Sequence, residues 1–137
     1  MKNDPTPEQR ELLIETARQV RMWAYAPYSH YMVGAALLTT SGKVYDGVNV
    51  ENAVFPLTTC AERTAIIKAV SEGEKEFQAM AIVTDNAGAP CGSCRQVMAE
   101  FGLDMLVIIV DKDGVVRWEK TVAELLPESF TPSDLPR

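Results

Sequence analysis

The sequence predicts an α/β fold, a three-layer α/β/α sandwich around a mixed five-stranded sheet. Three observations carry that expectation. Two short apolar runs, "AMAIVT" and "MLVIIVD", are bounded by polar turns and read as strands buried on both faces. Helical periodicity precedes and separates them, as it does where helices cover both faces of a partly parallel sheet. An early pair of apolar segments flanks "TTSGK" and reads as an antiparallel hairpin. At 137 residues the chain is expected to be one domain, residues 1–137, with a core that needs no disulfide staples.

The elements follow in order. "TPEQRELLIETARQVRMWAYA" reads as a helix with Thr6 as N-cap and Pro7 at its first position. Leu13, Ala17, Val20 and Ala24 recur at helical spacing, and Pro27 is the expected stop. In the hairpin, Ser41 and Gly42 supply the turn chemistry. From Thr59 to about Val70 the pattern is helical again, with Ala61, Ala65, Ile66 and Ala69 as its buried stripe and Gly73 just past its end. "AMAIVT", a short helix "CRQVMAEFG", "MLVIIVD" and a last strand "VVRWE" after "DKDG" complete the sheet. Thr121 and Glu124 form a capping box that opens the helix "TVAELL", which Pro127 closes.

Hydrophobic residues make up 47% of the chain and charged residues 23%, ordinary values for a soluble globular protein. A formal net charge of −6, with no Lys/Arg stripe, argues against a surface that tracks phosphates, so nucleic acid is not an expected partner. No apolar run approaches the roughly 18 residues that span a membrane. The start, "MKNDPTPEQRELL", lacks an apolar signal-peptide core, so a cytoplasmic location is expected.

The chemistry is concentrated in three cysteines, Cys60, Cys91 and Cys94. An odd number without a secretion signal does not form a disulfide framework, and unrelated core thiols would not produce the C-x-x-C pair in "APCGSCRQV". Both "TTCAERTAI" and "APCGSCRQV" place cysteine at the start of a helix, where free N–H groups and the macrodipole favour thiolates. Three sulfurs can fill three corners of a tetrahedral zinc site and leave the fourth for water, the arrangement of a catalytic rather than a structural centre. Zinc brings the pKa of a bound water toward about 7. Glu62, two residues after Cys60, is then placed to move protons beside the metal, although a lone glutamate at a helix start is more often a solvated charge. Three thiolates on a 2+ ion leave an excess negative charge. Arg63 and Arg95, each directly following a key residue, are expected to offset it, one or both by hydrogen bonding to sulfur.

Cys60-Ala61-Glu62 with Pro90-Cys91-Gly92-Ser93-Cys94 matches the three-cysteine form of the zinc-deaminase signature. More broadly, "YAPYSHYMVGAALLT", "GVNVENA", "CAERTAIIKAVSEG", "PCGSCRQV" and "TVAELLPESF" resemble, in the same order, the small homotetrameric cytidine deaminases of nucleoside salvage. The blocks extend from about Tyr25 to Leu135. This resemblance implies the cytidine deaminase-like fold, one Zn2+ per subunit, and hydrolytic deamination of cytidine and 2′-deoxycytidine to the uridine nucleosides plus ammonia. It places Asn49 and Glu51 of "NVEN" on the ribose hydroxyls and Tyr31, where the family commonly has Phe, against the base. The Thr59 carbonyl and the Ala61 N–H become base contacts, Phe130 reaches the base of a neighbouring subunit, and Arg63, Arg95 and Gln96 surround the metal ligands. A homotetramer with shared active sites is implied in the same way.

Residue type alone leaves plainer roles open: core packing for Tyr31 and Phe130, a turn cap for Asn49. His30, the only histidine, is expected to be an exposed loop residue; as a fourth zinc ligand it would close the site. The competing functions are deamination of a related cytosine nucleoside of the blasticidin type or of cytosine in nucleic acid, a non-catalytic zinc-stabilised interaction domain, and a redox C-x-x-C protein. The last leaves Cys60 and Glu62 unexplained.

Overall fold

Strands β1 (Gly34–Thr39), β2 (Val44–Val48), β3 (Phe77–Val83), β4 (Leu106–Val110) and β5 (Val116–Thr121) form one sheet in the order β2-β1-β3-β4-β5 in a computed structural model that describes residues 4–136. Only β3 and β4 run parallel; the other three pairings are antiparallel. Every residue of β1 and β4 is buried, which is why these runs show no alternation in the sequence. β2 and β5 are the edges, and β5 carries Arg117, Glu119 and Lys120 at its margin, charges that discourage further strand pairing.

Helix α1 (Pro7–Val20) covers one face of the sheet, with Leu13 and Ala17 packed on Ala36, Leu38, Ala81 and Ile108. On the other face lie α2 (Ala61–Ser71), α3 (Gly92–Phe101) and α4 (Val122–Leu125), with Ala65, Ile66, Met98 and Val122 against Leu37, Met80 and Ile109. The expected α/β/α sandwich with a mixed five-stranded sheet is therefore the observed architecture. Each fully buried aliphatic side chain contributes about 1.5–3 kcal/mol to it. Close contact of α2 with the sheet depends on Gly47: a Cβ there would lie 2.5 Å from Ala65 N and 2.7 Å from Ala61 O. No helix among the described residues is long and apolar enough to cross a membrane.

The predicted local signals appear where expected. Thr6 caps α1 in a capping box with Gln9, Gly42 turns the hairpin at φ +92°, Gly73 follows α2 at φ +92°, and Thr121 and Glu124 form their capping box. Two boundaries differ from expectation. α1 ends at Val20, followed by a 3-10 turn at Arg21–Trp23, well before Pro27. The reason is non-local: Tyr25 N–H donates to Asn49 O and Tyr25 O accepts from Glu51 N–H, both at 2.9 Å, so extended pairing with "NVE" displaces the last helical turn. The helix after Thr121 is also a single turn, since Leu126 at φ −138° has already left the helical region ahead of Pro127.

Between β4 and β5, the "DKDG" turn is organised by the buried Asp111. Its Oδ1 accepts from the N–H groups of Asp113 and Val115, and its Oδ2 accepts from Arg117 Nε at 2.9 Å. The Val115 N–H in particular holds the carboxyl below the usual carboxylate range. A folded pKa below the unfolded one gives stability that is complete above the unfolded pKa of about 3.9 and is lost as pH falls through the folded value. Asp111→Ala should thus melt at a lower temperature than the parent at pH 7, with the difference shrinking as the melts are taken to lower pH below about 4.

Candidate active site

Cys60 and Cys91 are the N-cap residues of α2 and α3, both with extended backbone (ψ 154° and 166°) and neither side chain capping its own helix. Their sulfurs are therefore free to turn toward each other. Cys94, one turn into α3, is fully buried and completes the group. The Sγ atoms of Cys60 and Cys91 are 3.9 Å apart, those of Cys91 and Cys94 are 3.4 Å apart, and all three lie within 4.8 Å of one another. Tetrahedral zinc with Zn–S of about 2.3 Å places its sulfurs about 3.8 Å apart, so the donor set fits that ion in both type and spacing. Among the described residues it is the only cluster of three or more metal-binding side chains; His30 is not part of it and stands exposed in a left-handed turn at φ +59°.

The electrostatics favour thiolate on Cys60. A hydrogen bond from Cys94 and the adjacent Arg63 guanidinium bring the Cys60 thiol down to about 5. The same bond to Cys60, with burial, raises the Cys94 thiol. Arg63 Nη2 donates to Cys60 Sγ at 3.3 Å, supplying the cation that the charge balance required. Of the two arginines expected to offset the charge, one or both through sulfur, Arg63 bonds a sulfur and Arg95 does not. Arg95 Nε donates to Pro90 O at 2.8 Å and its Nη1 to Leu125 O at 2.9 Å, so it holds the backbone just before Cys91 and the end of α4 rather than a sulfur. Gln96 donates to Phe130 O at 2.8 Å and so ties the C-terminal segment to α3.

Glu62, in the first turn of α2, is only 5% exposed. Burial pushes its carboxyl up to about 7, with the charge of Cys60 adding to the shift. It opens onto a cavity of about 300 Å³ whose lining includes Tyr31, Asn49, Glu51, Cys60, Ala61 and Cys91. Of the sequence-predicted substrate contacts, Tyr31, Asn49, Glu51 and Ala61 line this cavity; Thr59 and Phe130 are not among its lining residues, and Phe130 is 57% exposed to solvent. A larger depression of about 450 Å³ between α3, α4 and β5 is lined by Arg95, Trp118, Lys120, Glu124 and Leu125 but holds none of the sulfurs.

The wall that carries Asn49 and Glu51 is built by pairing. Val50 exchanges hydrogen bonds with Thr59, so "NVEN" lies directly beside the Cys60 loop, and the Thr59 carbonyl accepts one bond from Val50 N–H. Asn49 donates to Tyr31 O at 2.7 Å and accepts from Val33 N–H at 3.0 Å. Glu51 accepts from the N–H groups of Tyr28 and Ser29 and from the Ser29 hydroxyl, the last of which is the main reason its carboxyl is held below the usual range. The N–H of Ala61 is one of the first-turn donors that helix geometry leaves without an intrahelical partner. Ser29, Thr84 and Gly88 also line the cavity and went unrecognised in the sequence; only the "YSH" context of Ser29 offered a signal.

Residues 7–110 match the family model described as "Cytidine and deoxycytidylate deaminase zinc-binding region". The chain belongs to this deaminase family. It is 48% identical over 128 residues to a cytidine deaminase of Sporosarcina psychrophila, covering 91% of this chain and 93% of that protein. It is 50% identical over 129 residues to a cytidine deaminase of Halalkalibacterium halodurans, covering 92% and 97%. The crystal structure of cytidine deaminase from Burkholderia pseudomallei superposes with a TM-score of 0.83 at 48% identity, covering 88% of this chain and 98% of that one. For this member of the deaminase family, the three-cysteine cluster lies inside the matched zinc-binding region.

Proposed function

We propose that the protein, as one domain, hydrolyses cytidine and 2′-deoxycytidine to uridine and 2′-deoxyuridine, releasing ammonia, in pyrimidine salvage. One observation carries the reading: a buried carboxyl poised near neutrality and a three-sulfur zinc site meet in a single cavity large enough for a nucleoside. Cys60, Cys91 and Cys94 would hold the zinc, which when bound supplies the Lewis acidity that activates water. Glu62 carries protons. It takes a proton from the water that adds at C4 and gives it to ring N3 of the cytosine. It then takes the proton of the new C4 hydroxyl and passes it to the 4-amino nitrogen as the C4–N bond breaks and the C4 carbonyl forms. Water adds and ammonia departs, so no redox partner is needed.

Asn49 and Glu51 bind the ribose hydroxyls with the hydrogen-bonding capacity their loop contacts leave, and the Tyr31 ring and the Ala61 N–H take the base. The residues lining the cavity include Glu51 and Glu62 but no lysine or arginine. That charge pattern favours a free nucleoside over a 5′-monophosphate or a polynucleotide. Assembly into a homotetramer is supported by large exposed apolar side chains, among them Trp23 (75%), Phe55 (68%) and Ile67 (57%). Phe130, solvent-exposed in the single chain, is then the side chain that reaches a neighbour's cavity.

The purified protein is expected to remove the cytosine absorbance of cytidine and 2′-deoxycytidine with equimolar ammonia release, to lose that activity to a zinc chelator, and to spare cytidine 5′-monophosphate. Turnover of blasticidin S in place of both nucleosides would move the substrate assignment. A zinc-loaded protein that releases no ammonia from any nucleoside would be a zinc-stabilised binding domain instead.

A further inference from the structure

The hydroxyl of Tyr31 joins two walls of the cavity. On its own wall, the Tyr31 backbone is held on both sides: Asn49 donates to its carbonyl, and its N–H donates to Ser29 Oγ at 3.0 Å. From that fixed base the ring extends to the segment after β3, where its hydroxyl donates to Asn86 Oδ1 at 2.8 Å. That segment is a closed turn. Gly88 N–H donates to Thr84 Oγ1 at 2.7 Å, and Ala87 occupies the left-handed region at φ +59°. Gly88 forms a notch for the hydroxyl: a Cβ there would lie 2.2 Å from Tyr31 Oη, but 3.4 Å from Tyr31 Cζ and from Asn86 Oδ1. Since Gly88 has no left-handed φ, space rather than backbone conformation is what an alanine would violate.

We propose that Tyr31, Asn86 and Gly88 form a clasp across the cavity mouth that sets the angle of the Tyr31 ring, making Asn86 and Gly88 positioning residues for substrate affinity. The inference rests on the nucleoside reading above. Neither Asn86 nor Gly88 touches the reacting atoms in that reading; they act through the ring that lines the base end. The hydrogen bond is partly open to water, with Tyr31 39% exposed, so its loss alone is a modest effect. Filling the notch is more severe, because it displaces the hydroxyl and tilts the ring.

A double-mutant cycle tests the clasp, with kcat and KM for cytidine and thermal melts of the zinc-loaded protein for every variant. Tyr31→Phe and Asn86→Ala should each raise KM about threefold, and together no further. Gly88→Ala should raise KM about tenfold while kcat falls less than about threefold. In the Tyr31→Phe background the same Gly88→Ala should raise KM less than about twofold, because the atom it meets is gone. Equal Gly88→Ala effects with and without the hydroxyl would overturn the clasp. Coupling seen in the melts but not in KM would assign the contact to stability and overturn the positioning role. A parent protein that deaminates no nucleoside fails the functional reading itself, is recognised before any variant is made, and takes the positioning role with it.

Discussion

Glu62→Gln is expected to keep its zinc and its fold and to lose at least about 10³-fold in turnover on cytidine. The substitution leaves the size of the side chain and its burial nearly unchanged, so the cavity wall that it shares with Cys60 and Ala61 stays in place. What disappears is the titratable oxygen. Burial, the largest influence on this carboxyl, has moved it up to about 7, where it accepts and releases a proton with nearly equal ease at neutral pH. A glutamine amide can do neither. The proposed role needs two transfers, to ring N3 and to the departing amine, and both are removed at once. Metal content by atomic spectroscopy and ammonia release measured on the same preparation decide the matter. A variant with a tenth or more of the parent turnover would show that some other group carries the protons.

The parts of this molecule that could be read from its sequence are those whose signals are local. Cys60, Glu62, Cys91 and Cys94 sit within single turns at two helix starts, so spacing alone brought them together as a hypothesis. β3 and β4 stood out because strands buried on both faces are unbroken apolar runs. Non-local contacts were hidden. α1 stops at Val20 because Tyr25 pairs with Asn49 and Glu51, a tie that helical periodicity cannot reveal. Arg95 follows Cys94 in sequence, yet its guanidinium turns to Pro90 O and Leu125 O, which adjacency did not suggest. The Tyr31–Asn86 bond joins residues 55 positions apart and leaves no pattern at either end. Resemblance to a family placed Tyr31 near the base, but the space at Gly88 that accommodates its hydroxyl is visible only in three dimensions.

Cys94→Ala is expected to abolish both zinc binding and turnover, and to do so without unfolding the chain. Cys94 is fully buried between α3 and the sheet, so its replacement by alanine removes one sulfur from a packed apolar setting and adds no polar atom. Two sulfurs remain, Cys60 and Cys91, and two donors fall short of the three protein ligands that catalytic zinc sites use. Zinc content after dialysis should drop from about one per chain to below about a tenth. The binding free energy of a metal that the unfolded chain does not hold is also folding free energy, so the parent should melt at a lower temperature after chelation. Chelator should leave the melting temperature of Cys94→Ala unchanged, since nothing remains for it to remove. If the variant retained stoichiometric zinc, or if chelator lowered its melting temperature as far as the parent's, the ion would have to be held elsewhere. The cavity beside Glu62 would then lose the group that makes its buried carboxyl useful.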